Sequence, residues 1–228
     1  MRHQKINRAL LGALLVAGGV VSSQASAVQQ APAPVFSGTY VDMYLKDYPS
    51  LSEEKVYLDA ALASTITGHV GSQADSRLVS FSSTTDTLDA ANGFSQISAL
   101  DGYINNITIT APGYWFEDLI FSVNLSPNNN MDLSILATDK SGGTDTFANW
   151  VAEGLGNGEN RIMVLSTGGN LMQSVTINSY YGMQSLGGVD ALKQTEISGI
   201  TPVPEPETYA MLLAGLGLVG FAVRRKQA

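Results

Sequence analysis

Short runs of β-branched and aromatic residues make up most of the chain after residue 76. In Ile104–Thr110 and Asp118–Leu125 they recur at nearly every second position, which is the spacing of a strand with one buried face. Clusters of Gly, Asn, Asp and Ser separate the runs and are typical of turns. Many short strands at this spacing predict an antiparallel β-sandwich or jelly roll over residues 40–200. The predicted strands are Arg77–Ser83, Ile104–Thr110, Asp118–Leu125, Met131–Asp139, Arg161–Thr167, Met172–Ser179 and Ala191–Ser198.

One short helix is predicted in front of these strands, over residues 50–64. Ser50 or Ser52 provides an N-cap, and the two glutamates that follow lie in the first turn, where acidic side chains are favourable. Apolar residues from Val56 onward give this segment an apolar side. The expected body is therefore mostly β with one N-terminal helix, and residues 28–39 are predicted to be a flexible lead-in.

The amino-terminal end has the pattern of an export signal. Three cationic side chains precede an apolar stretch over residues 9–21, and Ala25 and Ala27 form an A-x-A cleavage site. This three-part pattern is typical of a secretory signal peptide, whose apolar part forms a helix when it inserts. Residues 1–27 are therefore predicted to direct the chain to the Sec translocon, with Val28 as the first residue of the mature protein.

The carboxyl-terminal end contains a second apolar run. Residues 209–223 carry no charge and are followed by Arg224, Arg225 and Lys226. A helix over this run would be about 22 Å long, against about 30 Å of bilayer hydrocarbon, so it is a short transmembrane helix. Because basic residues stay in the cytoplasm, the positive-inside rule places residues 28–202 outside the membrane.

The same end resembles a known sorting signal. Pro204, Glu205 and Pro206, followed by the apolar helix and the basic cluster, are similar to the PEP-CTERM signal of Gram-negative bacteria, here over residues 201–228. The resemblance implies recognition by an exosortase, transient anchoring in the inner membrane, removal of the tail, and a mature protein at the cell surface or outside the cell. It also implies an association with exopolysaccharide or biofilm. Residues 158–177 look like the β-sandwich bodies common in such proteins, which implies a fold but no activity.

Composition excludes several functions for the body between the two signals. The chain has no cysteine, which excludes thiol nucleophiles and thiolate metal sites. The body holds 6 basic and 18 acidic residues and has a net charge of −12. Such a surface repels nucleic acid, so nucleic-acid binding is not expected.

Few residues of the body suggest chemistry. His69 is the one histidine left after signal cleavage, and its surroundings contain no nucleophile motif, so a loop or core role is expected for it. Asp139 and Asp145 flank a glycine-containing loop whose oxygens could bind calcium, although a solvated turn without any cofactor is the simpler interpretation.

The sequence leaves three classes of function open. The favoured class is a non-enzymatic exported protein of the envelope or extracellular matrix. The second is a carbohydrate-binding module that contacts sugar through Trp115 or Trp150, although aromatic side chains of this size more often pack in a core. The third is a glycoside hydrolase that uses a pair of carboxylates, which requires two acids facing one cleft.

Overall fold

The computed structural model describes residues 32–45, 52–125, 132–148, 155, 158–180, 189–204 and 206–227. Within these ranges the chain is mostly β, and its elements are β1 (Phe36–Ser37), β2 (Val41–Leu45), β3 (Glu54–Leu58), β4 (Ala61–Ala63), β5 (Thr65–Val70), β6 (Leu78–Ser82), β7 (Leu88–Ala90), β8 (Gln96–Ala99), β9 (Asn106–Thr110), β10 (Tyr114–Trp115), β11 (Asp118–Leu125), β12 (Asp132–Asp139), β13 (Thr144–Phe147), β14 (Gly158–Ser166), β15 (Met172–Tyr180), β16 (Val189–Ser198), β17 (Thr201–Pro202) and α1 (Pro206–Gln227).

Fifteen of the described strands form one antiparallel sheet. Its order is β1-β2-β14-β11-β16-β3-β5-β6-β9-β15-β12-β13, and the short ladder β4-β7-β8 joins it through β16. Strand β3 pairs with β16 at its start and with β5 at its end, so it leads from one half of the sheet to the other. The sheet curves until it is nearly barrel-shaped. The mostly β, antiparallel class is thus confirmed, in a form more closed than a sandwich of two separate sheets.

The core lies inside this curved sheet. Burial alternates along the strands, as in β9, where Ile107 and Ile109 point inward between half-buried polar residues. Phe81, Phe116 and Phe121 are completely buried there. Burying one such side chain contributes about 1.5–3 kcal/mol, so apolar packing of this kind stabilises a body that has no disulfide.

A single carboxylate joins the two edges of the sheet. Asp145 on β13 accepts hydrogen bonds from the backbone N–H groups of Thr39, Tyr40 and Val41, at 3.0, 2.6 and 3.0 Å. The edges meet closely, because a Cβ atom on Gly38 would collide with this carboxyl group. A side chain therefore closes the barrel at a seam where the described strands form no ladder.

The predicted N-terminal helix is wrong. Residues 52–64 instead contain β3 and β4, and the first two residues of the predicted helix lie outside the described ranges. In β3 the buried Val56 and Leu58 alternate with the outward Lys55 and Tyr57, which is a strand pattern. Ladders to β16 and β5 on both sides of β3 supply hydrogen bonds that outweigh the local helix signals.

The seven predicted strands are confirmed. They correspond to β6, β9, β11, β12, β14, β15 and β16, with ends that agree within three residues. The other strands are two to six residues long, and a pattern of period two is hard to recognise over so few positions.

The tail of the chain is helical. Helix α1 contains the run predicted to be a transmembrane helix, and its described large apolar side chains are exposed. In the part of the chain that the structure describes, no helix has both the length and the apolarity needed to cross a membrane. The predicted signal peptide, with Ala25 and Ala27, lies outside the described residues.

Candidate functional site

The body connects to the tail through a small ribbon of two strands. After β16 the chain turns at Gly199, which has a φ of +61° and where a Cβ atom would collide with Glu117, so this turn requires glycine. Strand β17 then pairs with β10, with Trp115 opposite Thr201. We call β10 and β17 together the junction ribbon.

One further hydrogen bond extends the junction ribbon toward the tail. The N–H of Val203 donates to the carbonyl oxygen of Gly113 at 2.9 Å. Gly113 has a φ of +79° in the turn that precedes β10, which again suits glycine. The backbone of the body therefore holds the chain as far as Val203, directly before the predicted sorting residues.

The predicted sorting residues begin where the junction ribbon ends. Pro204 is exposed, Glu205 lies outside the described residues, and Pro206 is the first residue of α1. A proline is favourable there because the first helical N–H has no partner within the helix. Arg224, Arg225 and Lys226 occupy the last turn of α1, where cations interact favourably with the helix dipole; the side chain of Arg224 is exposed.

The two tryptophans predicted to contact sugar are not brought together within the described residues. Trp115 is half-buried in the junction ribbon, and Trp150 lies outside the described residues. The structure thus places the first of them beside the sorting tail.

The two aspartates predicted to bind calcium have separate structural roles. Asp139 accepts hydrogen bonds from the N–H and hydroxyl of Ser141 and from the N–H of Gly143, and these bonds lower the pKa of Asp139. Asp145 closes the barrel seam. Among the described residues no group of three or more metal-ligating side chains is placed to hold an ion. Calcium binding stays a prediction.

His69 lies on β5 between two acceptors. Its Nδ1 is 2.6 Å from the backbone oxygen of Asp75, and its Nε2 is 3.3 Å from Oδ2 of Asp59. The same Oδ2 accepts a hydrogen bond from Thr67 at 2.8 Å. Both ring nitrogens are thus directed at groups of the body, whereas a catalytic histidine directs one nitrogen at its nucleophile.

A neighbouring cluster fastens β3 to the connection between β5 and β6. The guanidinium of Arg77 contacts Glu54 at 2.7 Å and Asp75 at 2.6 Å. Hydrogen bonds from Arg77 lower the pKa of Asp75 to about 2. No local motif marks this cluster, since Glu54 and Arg77 are 23 positions apart.

An aromatic pair lies on the outer surface near β3. The ring centroids of Tyr57 and Phe94 are 6.3 Å apart with planes inclined by 50°, and both side chains are half-buried. The ammonium of Lys55 lies 4.7 Å from the centroid of Phe94, within range of a cation–π interaction. We call these three residues the aromatic platform; Gln96, two residues after Phe94, is exposed.

Asp118 is the most perturbed acid of the described body. Its side chain is completely buried, and burial raises its pKa to about 6. The charges of Glu53, Glu117 and Glu196 add to this rise, while a hydrogen bond from Ser198 opposes it. No group among the described residues donates to its Oδ1. General acids have pKa values in this range, but a substrate cannot reach a fully buried carboxyl group.

Comparison with known proteins identifies the tail. A family model described as the PEP-CTERM protein-sorting motif matches residues 202–226. No curated protein and no solved structure shows a significant match to the chain. Motifs of this family are generally processed by exosortase, a membrane protein. The chain therefore carries a PEP-CTERM sorting motif over residues 202–226, which is the signal of an exported, surface or extracellular protein.

Proposed function

We propose that the protein leaves the cytoplasm through the Sec translocon, is held for a time in the inner membrane by its tail, and is cut by an exosortase near Pro204, Glu205 and Pro206. The β body then stays at the cell surface or outside the cell as a non-enzymatic component of an exopolysaccharide or biofilm matrix. The match of residues 202–226 to the sorting motif is the observation that carries this proposal.

The membrane step is supported by α1. Each large apolar side chain described in it is 60–74% exposed, and exposed apolar surface costs about 25 cal/mol per Å² in water. An apolar environment would remove this cost, and the basic residues that follow favour the cytoplasmic side. The exposed residues are Met211, Leu212, Leu213, Leu216, Leu218 and Val219.

The non-enzymatic role is supported by how the body uses its polar groups. His69, Arg77 and Asp139 are all engaged in bonds that fasten strands and turns to one another. Asp145 does the same at the barrel seam. An acidic body whose polar groups serve the fold suits a soluble matrix component.

Replacing Pro204, Glu205 and Pro206 together with alanine is expected to leave export intact and to block tail removal, because the processing enzyme loses its motif. Intact mass of protein from the medium, the cell surface and the inner membrane measures the result. The full tail should be retained, in the membrane fraction. Pro32→Ala, at a half-buried proline far from the tail in sequence, is the matched control. An unchanged mature mass and location would show that the sorting assignment is wrong.

A second candidate function is glycan binding by the aromatic platform. Aromatic rings at a surface can stack on the apolar face of a sugar, and polar neighbours such as Gln96 can read its hydroxyls. The positive Lys55 beside Phe94 would favour an acidic polysaccharide. The observation in its favour is the pair of half-buried rings with the ammonium of Lys55 over one of them.

Phe94→Ala is expected to weaken binding to the host's own exopolysaccharide at least about fivefold in affinity electrophoresis, since stacking on one ring contributes about 1 kcal/mol or more. Tyr103→Ala, at an exposed tyrosine outside the platform, should leave the affinity unchanged. Equal retardation of both variants and the unaltered protein would exclude the aromatic platform as the sugar contact.

A further inference from the structure

We propose that the junction ribbon controls access of the processing enzyme to the sorting motif, so that the ribbon must open before the tail can be removed. Gly113, Tyr114 and Trp115 of the body thereby become determinants of a reaction that takes place on the tail. This inference rests on the proposed processing of the tail and adds a step to it.

The first argument is an overlap between the motif and the folded body. The family match begins at residue 202, whereas the body holds the chain as far as Val203. Pro202 lies in β17 opposite Tyr114, and the N–H of Val203 is bonded to Gly113. The first two residues of the matched motif are therefore part of the ribbon.

The second argument concerns the hydrogen bonds of the ribbon. Since Val203 is bonded to Gly113, the alternation of an antiparallel ladder makes Trp115 and Thr201 the next hydrogen-bonded pair. Pro202 occupies the non-hydrogen-bonded position between them, where its missing N–H costs nothing. The ribbon is thus well formed right up to the motif.

The third argument is the form in which enzymes bind peptide segments. An extended segment is recognised through its free backbone N–H and C=O groups, often by adding a strand to a sheet. Backbone groups already paired with β10 are unavailable for this purpose. The apparent rate of processing is then proportional to the fraction of molecules in which the ribbon is open.

The direct test locks the ribbon with a disulfide. Tyr114 and Pro202 form a non-hydrogen-bonded pair, whose Cα atoms lie about 4.5 Å apart, within the range that a disulfide spans. The chain has no cysteine of its own, so within one molecule the full-length double variant Tyr114→Cys/Pro202→Cys can form only this bond, and non-reducing electrophoresis separates it from crosslinked dimers. Tail removal is followed by pulse-chase and intact mass in a host that contains the processing enzyme, with and without dithiothreitol.

The locked protein is expected to lose its tail at least about tenfold more slowly than the same protein after reduction. Each single-cysteine variant cannot form the crosslink, so it should lose its tail at the same rate with and without dithiothreitol. Because the comparison is made within one variant, loss of Pro202 from the motif affects both arms equally. Equal rates for the crosslinked and reduced forms would overturn the proposal.

An independent test opens the ribbon. Thr201→Pro removes the backbone N–H that residue 201 contributes to its pair with Trp115. Thr201→Val keeps this backbone N–H and has a side chain of nearly the same shape as threonine. Losing the pair is expected to speed tail removal about fivefold or more relative to the valine variant. Identical rates would contradict the proposal, whereas failure of the unaltered protein to lose its tail at all would contradict the proposed function itself.

Discussion

Replacing Asp86 with alanine is expected to lower the free energy of unfolding by about 3–5 kcal/mol. The carboxyl group is only 6% exposed and accepts five hydrogen bonds. They come from the hydroxyls of Ser83 and Thr85, from the N–H and amide of Asn105, and from the N–H of Asn106, at 2.8–3.1 Å. Alanine would leave these donors without their acceptor, and a buried donor such as the hydroxyl of Ser83 then costs about 1–3 kcal/mol, whereas the exposed Thr85 can bond to water instead.

Chemical denaturation of the purified protein measures this loss. Asp86→Asn should fall between alanine and the unaltered protein, because an amide keeps one acceptor oxygen but turns a donor toward other donors. Asp89→Ala, at an exposed aspartate on the neighbouring strand, is the control and should stay within about 0.5 kcal/mol. A loss at Asp86 no greater than at Asp89 would mean that the five hydrogen bonds contribute nothing net.

The carboxylate of Asp86 also makes the stability of the body depend on pH. Burial raises the pKa of Asp86, but the hydrogen bonds from Asn105, Asn106 and Thr85 outweigh burial, so the pKa is lowered overall. The contribution of Asp86 to the free energy of unfolding is therefore complete above the ordinary aspartate pKa of about 4. It is lost as the pH falls through the lower pKa of the folded state. The alanine variant should lack this acid-sensitive part of the stability curve.

The fold could be predicted where a local pattern decides it. Strand β11 spans eight residues with Leu119, Phe121 and Val123 on one face, and its bounds were predicted correctly. Residues 52–64 show the limit of this reasoning. A serine cap and early glutamates are local signals of a helix, but β3 is held by ladders to the nearby β5 and to β16, which is about 140 positions away in sequence.

The tail could be predicted because its signal is contiguous in the sequence, whereas the contacts around it join residues that are far apart in the sequence. Proline, apolar and basic residues form one contiguous signal there, which a sequence displays directly. The junction ribbon joins Trp115 to Thr201, and the barrel seam joins Asp145 to residues more than 100 positions earlier. Such pairings are decided by the packing of the whole sheet, so the near neighbours of Asp145 in the sequence suggest calcium and give no sign of its contacts at the seam.

Asp118 should make the body more stable in mild acid than at pH 8. In the folded state Asp118 has a pKa of about 6 and keeps its proton up to that pH, whereas in the unfolded chain it releases the proton at a pH of about 4. Between these values the folded state binds more protons, so stability falls as the pH rises through this window. The shift in pKa corresponds to at most about 3 kcal/mol of the free energy of unfolding, and this stabilisation is fully lost once the pH is above the pKa of the folded state.

Asp118→Asn is expected to remove this dependence, because an amide has nearly the same shape and never ionises. At pH 8 the variant should be more stable than the unaltered protein by up to about 3 kcal/mol, and near pH 4 the two should be similar. Ser198→Ala removes the hydrogen bond that opposes the shift, so it should move the loss of stability to higher pH. Asp101→Asn, at an exposed site, is the control. Unfolding midpoints measured from pH 4 to 8 decide the matter: equal slopes for Asp118→Asn and the unaltered protein would mean that the pKa of Asp118 is the same in the folded and unfolded states, so that its burial does not raise it.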